Sequence, residues 1–120
     1  MILILKSIRL NTDNILEEDV NWEPVSDGKL GIEQFLARTS KSGTVKFLKF
    51  DPGAKYPLHF HPDRSEWLCV ISGDMNVEID GRRLSLHGGG FVSFPVNSKH
   101  SLAAGENGAL ITVSAFFESA

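Results

Sequence analysis

The 120-residue chain has a single cysteine, Cys69. No internal disulfide can form, which agrees with a reducing compartment and leaves stability to an apolar core. No run of Lys or Arg occurs either, and the formal net charge is −3 at pH 7. Clustered basic residues are the electrostatic footprint of nucleic-acid binding, so this composition argues against such a partner. Long hydrophobic runs are also missing. Met1-Ile2-Leu3-Ile4-Leu5 is apolar, but Lys6 and Arg9 interrupt it well short of a signal-peptide core or a membrane span. The expectation is a cytoplasmic protein with no membrane partner. No serine, cysteine or lysine nucleophile stands in a recognisable arrangement with a base, so no catalytic residue is assigned by motif. Gly88-Gly89-Gly90 is followed by no helical pattern, and a phosphate cradle lacks its donor array.

Helix-period patterning is nearly absent, apart from a short turn around Ile15 to Val20. What remains is a series of short extended segments punctuated by turn chemistry, which predicts an all-β fold. Asp51-Pro52-Gly53 has Pro and Gly in the two central places of a type II turn, after the run Thr44 to Phe50. Asp80-Gly81 is a hairpin signal joining Met75–Ile79 to Arg82–Leu86. Gly88-Gly89-Gly90 and Gly105-Glu106-Asn107-Gly108 mark further loops, and Ala109 to Phe117 reads as a last strand. Strands at this spacing suggest a sandwich or barrel. A single domain spans residues 1–120, with a core at about 44–117 and amino-terminal strands and an arm in 1–43.

The chemistry concentrates in the pattern Gly53-x5-His59-x-His61-x4-Glu66-x6-Gly73. On an extended segment a His-x-His pair places both imidazoles on one face, because side chains alternate with period two. Glu66 opens the apolar run Trp67-Leu68-Cys69-Val70-Ile71. Two neutral imidazoles and a carboxylate suit a divalent first-row metal and leave positions open for water, dioxygen or a chelating substrate. Asp63 also follows the histidines closely. Glu66 is preferred, since it starts a strand with a defined facing whereas Asp63 belongs to the turn Pro62-Asp63-Arg64-Ser65. If Glu66 faces inward, Leu68 and Val70 share its face, and Trp67, Cys69 and Ile71 point outward. Cys69 is then a small buried hydrophobe, not a ligand.

This pattern, with its flanking glycines, resembles the first conserved motif of the cupin superfamily. Gly89-x5-Pro95-x-Asn97-x2-His100 resembles the second, with Asn97 where a glycine is usual and Ala104 where an asparagine is usual. Asn tolerates the left-handed backbone that a turn glycine would supply. The likeness covers residues 44 to 117, and the short interval from Gly73 to Gly89 is similar to the small single-domain, RmlC-like members. Asp13-x8-Trp22-x-Pro24 is weakly similar to the lead-in of anti-sigma-factor-type and diketone-dioxygenase-type cupins. The resemblance implies a double-stranded β-helix, or jelly-roll barrel. It implies one divalent transition metal per chain (Fe, Mn, Ni, Zn or Cu), held by His59, His61, Glu66 and His100. It implies a mononuclear metal-dependent enzyme, dioxygenase-like or isomerase-like, acting on a small oxygen-rich molecule. The alternative is a non-catalytic module that senses or binds a small ligand or the metal.

Tyr56 is the best pocket candidate, since a buried hydroxyl wants a polar partner. Phe60, between the two histidines, should point away from them, and Met75, Phe94 and Phe116 read first as core. Arg64 and Lys99 read as solvated loop charges and His87 as a loop or surface histidine outside the site. Trp67 to Ile71 is apolar on both parities, so its outer side needs a cover. Either the amino-terminal strand or a partner subunit supplies it, and a homodimer is the expectation.

Overall fold

The computed structural model describes residues 20–118. The expected strand at Met1 to Leu10 and most of the turn around Ile15 lie outside the described residues. Within them the chain forms β1 (Glu23–Pro24), a short 3-10 segment (Val25–Gly28), β2 (Ile32–Ser40), β3 (Gly43–Phe50), β4 (Lys55–His59), β5 (Arg64–Ile79), β6 (Arg82–His87), β7 (Phe91–Phe94) and β8 (His100–Phe117). All pairings are antiparallel, in the order β1-β2-β3-β8-β5-β6, with β4 also on β8 and β7 also on β5. No helix among the described residues is long and apolar enough to cross a membrane.

Two long strands make this a shell. The first half of β5 pairs with the second half of β8, flanked by β7 on one side and by β3 and β2 on the other. The second half of β5 pairs with the first half of β8, flanked by β6 and β4. The result is the all-β jelly roll that the turn spacing and the motifs predict.

Where β5 and β8 pass from one layer to the other, their ladder slips. An unpaired residue reverses the facing of every side chain after it. On β5 the inward set is Leu68 and Val70 before the bend and Met75 and Val77 after it; on β8 it is His100, Leu102 and Ala104, then Ala109, Ile111 and Ala115. Gly73 and Gly108 occupy the bend with φ of +82° and +71°. A Cβ on Gly73 would collide with the Gly108 carbonyl oxygen, and one on Gly108 would stand 2.6 Å from the Phe50 carbonyl oxygen. The expected loop at Gly105–Gly108 is therefore corrected: it is a bulge within one continuous strand. Turn-forming residues mark a break in pairing, and a bulge breaks pairing as a loop does.

The two predicted tight turns form as read. Ala54 N–H donates to the Asp51 carbonyl at 3.0 Å with Gly53 at φ +73°. Asp80 and Gly81 both have positive φ, as a type I′ hairpin requires. Inside, Ile32, Leu48, Phe50, Leu68, Met75 and Ile111 belong to one core, which Ala104 joins at 6% exposure. A buried alanine there asks for no polar partner. Outside, Trp67 stacks on Phe91 with centroids 5.9 Å apart, and both are exposed. Cys69 shares that outer parity and is half-buried instead of buried.

Candidate metal centre

Each cluster residue has a distinct structural reason for its position. His59 ends β4 and pairs in register with His100, the first residue of β8. His61 follows two residues later, before the Pro62 turn that leads into β5. Glu66, third in β5, lies in the opposite layer between Phe94 and Ala115. The turn before β8 is closed by Ser98, whose N–H and hydroxyl both donate to the Pro95 carbonyl at 3.1 and 2.8 Å. Asn97 there takes the left-handed conformation, φ +66°, and its N–H donates to the His61 carbonyl at 2.9 Å. One ligand loop is thus tied to the other.

The four side chains converge, with one donor atom from each within 4.8 Å of the rest. Glu66 Oε1 stands 3.4 Å from His61 Nε2 and 3.3 Å from His100 Nε2. Ring centroids are 4.3 Å apart for His59 and His100 and 4.9 Å for His59 and His61. Bonds of about 2.1 Å to one ion imply donor separations of about 3.0 to 4.2 Å, so modest contraction would close the set.

The outward-facing ring nitrogens fix the tautomers. His59 Nδ1 donates to the Pro57 carbonyl at 2.7 Å and His100 Nδ1 to the Ser98 carbonyl at 3.0 Å. A carbonyl only accepts, so in the neutral rings the proton sits on Nδ1 and each Nε2 presents a lone pair inward. His100 Nε2 is fully buried, and its 3.3 Å approach to Glu66 lacks the alignment of a hydrogen bond. A buried ring lone pair that faces a carboxylate oxygen calls for a cation between them. Burial pushes the imidazolium forms of His59 and His61 down from the ordinary 6.5, favouring the ligating neutral state. Burial alone would raise the Glu66 carboxyl, but the adjacent imidazoles, His100 foremost, reverse this and hold it below 4.5.

Flat packing orients the set. Phe94 stacks on His100 with centroids 4.1 Å apart and a 13° interplanar angle, and Tyr56 leans on His59 at 4.8 Å. Both line a cavity of about 160 Å³ that holds all four cluster residues. Asp63 is excluded from it: it faces out and pairs with Arg64 at 3.0 Å. Cys69 and His87 also stay apart, His87 pairing with Asp74 at 2.6 Å. Lys99 and Phe60 are exposed, as is Phe116, while Met75 and Phe94 are buried. Arg64 departs from its reading as a solvated loop charge, being half-buried and part of the cavity wall. Sequence reasoning missed Lys46 and Gln34, which also line the cavity. The signal for Lys46 was available, since it shares the parity of Leu48 and Phe50 in the run Thr44 to Phe50. A larger groove of about 780 Å³, on the outer side of the second layer, gathers no comparable ligand set among the described residues.

Comparison with known proteins fits this geometry. A family profile for a cupin domain matches residues 46–116, more than half of the chain. A 57-residue stretch is 35% identical to quercetin 2,3-dioxygenase of Bacillus subtilis (strain 168), covering 48% of this chain and 17% of that enzyme. The chain thus spans only a small part of that relative. Among solved structures, KdgF from Halomonas sp. superposes with a TM-score of 0.76 at 23% identity, over 84% of this chain and 89% of that one. An RmlC-like cupin from Shewanella frigidimarina gives 0.73 at 22%, over 85% and 86%. At these identities the two likenesses establish the fold.

Proposed function

The chain belongs to the cupin domain family, and on that premise we propose that it is a mononuclear metal-dependent enzyme, dioxygenase-like, acting on a small oxygen-rich molecule. The observation that carries this reading is the inward convergence of imidazole lone pairs on Glu66, with His100 Nε2 buried and unpaired. The donor set of three imidazoles and one carboxylate fits Fe, Mn, Ni, Zn or Cu, one ion per chain. His59, His61, Glu66 and His100 would hold the ion and would leave room on it for a chelating substrate or water. A divalent transition metal bound there supplies Lewis acidity and, when redox-active, a route for electrons to dioxygen. His59 and His100 keep their proton on the outer nitrogen through backbone carbonyls. Glu66 offsets part of the ion's charge and is the only acidic side chain lining the cavity among the described residues. Tyr56 offers a hydroxyl at the wall, and the buried Phe94 and Leu68 give it apolar surface.

The deciding experiment is metal analysis of protein purified without chelators, followed by oxygen consumption with diketones, catechols and thiols. We expect about one ion per chain and uptake with at least one chelating substrate. Absence of any metal would reject the centre, while full metal without oxygen uptake would leave a binding module. The reading also keeps the homodimer. Two copies meeting across the Trp67–Phe91 face would remove both rings from water, and a sedimentation mass of one chain at micromolar concentration would refute this.

A further inference from the structure

Lys46 stands in a row of the shell that is otherwise hydrocarbon. On β3 it pairs in register with Val113 of β8, which pairs in turn with Leu68 of β5, and all three line the cavity. Lys46 is half-buried there, so its ammonium is within reach of a molecule that enters the cavity. Among the described residues no carboxylate lies within 4.0 Å of its Nζ. Lys49, on the opposite face of the same strand, pairs with Glu33 at 3.7 Å. Gln34 is the diagonal neighbour of Lys46 on β2, and among the described residues its amide also has no hydrogen-bond partner. The other cation of the wall, Arg64, is already engaged by Asp63 at 3.0 Å and lies 5.3 Å from the Phe117 ring centre.

We propose that Lys46, with Gln34 beside it, recognises an anionic group of the substrate, and that this substrate is a small carboxylate with an oxygen donor for the metal centre, such as a 2-hydroxy or 2-oxo acid. The inference rests on the metal-centre reading above. Glu66, the one acidic lining group among the described residues, is held by the imidazoles and leaves Lys46 uncompensated. A volume of about 160 Å³ lies well below the roughly 300–1,000 Å³ of sites for drug-sized ligands, so a molecule of a few carbons fits. The larger outer groove has a cation without a carboxylate partner as well, Lys55, but it is exposed and no metal-ligating cluster among the described residues faces it, while Arg83 and Glu78 there pair with each other at 3.8 Å.

The test is calorimetric titration of metal-loaded protein with malate and with 1,2,4-butanetriol, its uncharged counterpart. Lys46→Gln and Lys46→Met should each weaken malate binding about tenfold or more, and Lys46→Arg should retain it within about threefold. Butanetriol should bind weakly and respond to none of the three substitutions. Metal content, read by mass spectrometry in the same samples, should stay equal to wild type. Wild-type protein that takes up no metal would refute the centre itself. Metal-loaded protein that ignores malate, binds butanetriol equally well or tolerates Lys46→Gln would overturn the carboxylate assignment alone. Loss of metal in both neutral variants would also overturn it, by moving Lys46 into the centre.

Discussion

The two halves of the metal centre differ in how firmly they are held. His100 and Glu66 stand on β8 and β5, with a paired strand on either side: His59 and Ile79 flank His100, and Ala115 and Phe94 flank Glu66. His100 is 3% exposed and lies flat on Phe94. His59 and His61 sit at and beyond the end of β4, which among the described residues pairs only with β8, and both are half-buried. Half of the donor set is thus a fixed platform. The other half, half-buried at the end of β4, has the freedom to contract around an arriving ion. Pre-organisation on one side limits the ordering cost of binding, and compliance on the other admits the ion.

The platform depends on the bend between the layers, which gives the largest expected effect. Gly73→Ala forces a Cβ onto the Gly108 carbonyl at φ +82°. A loss of more than about 3 kcal/mol is expected in chemical denaturation. Stability within about 0.5 kcal/mol of wild type would show that the bend yields without cost. Next come the ligands themselves. His100→Ala should cost the metal-free fold about 2–3 kcal/mol, because it opens a hole behind Phe94, whereas His61→Ala should change it by less than about 0.5 kcal/mol. Metal affinity should fall at least about 100-fold in both. Equal apo stabilities, measured by denaturant unfolding, would erase the distinction between the two halves.

Acidification separates the halves in another way. His59 and His61 have folded pKa values below the ordinary 6.5, so the unfolded chain protonates first as pH falls. Above about pH 7 these groups contribute nothing to the pH dependence, and below about 6.5 they destabilise the fold progressively. Glu66 is held below 4.5, so its contribution is present above that value and is lost as pH falls through its folded pKa. The metal-free melting temperature should therefore be level from pH 8 to 7 and decline below about 6.5, first through the β4 histidines and then through Glu66. His61→Asn should shallow the upper part of the decline. A melting temperature that rises on acidification would contradict these directions.

Legibility in the sequence followed the range of the interactions involved. His59, His61 and Glu66 were readable because strand alternation and turn chemistry act over a few residues, and the same holds for the Asp80-Gly81 hairpin. His100 depended on the resemblance, since its approach to His59 is a cross-strand pairing 41 positions away. Among what escaped are the bounds of β2 within the amino-terminal strands expected before 44, the continuity of β8 through Gly105–Gly108, and Lys46 with Gln34. The first lacks clean alternation, for Ile32 to Ser40 mixes polar and apolar residues on both faces. The second is a bend whose residues signal a loop equally well. Lys46 was hidden because a lysine in a strand is ordinarily read as a solvent-facing residue.

Asn97 gives the smallest expected effect and tests the link between the halves. Its positive φ costs an L-residue a fraction of the roughly 1–2 kcal/mol left-handed penalty, since Asn bears it better than most. Asn97→Gly would remove that strain, but glycine also widens the unfolded ensemble by about 0.5–1 kcal/mol, in the opposite direction. The two terms nearly cancel, so a change within about 0.5 kcal/mol is expected in thermal and denaturant unfolding. The bond from residue 97 N–H to the His61 carbonyl is main-chain and survives the substitution. Metal affinity should therefore stay within about twofold of wild type. A larger loss would mean that the Asn97 side chain, and not only its backbone, holds the compliant histidine in reach of the platform.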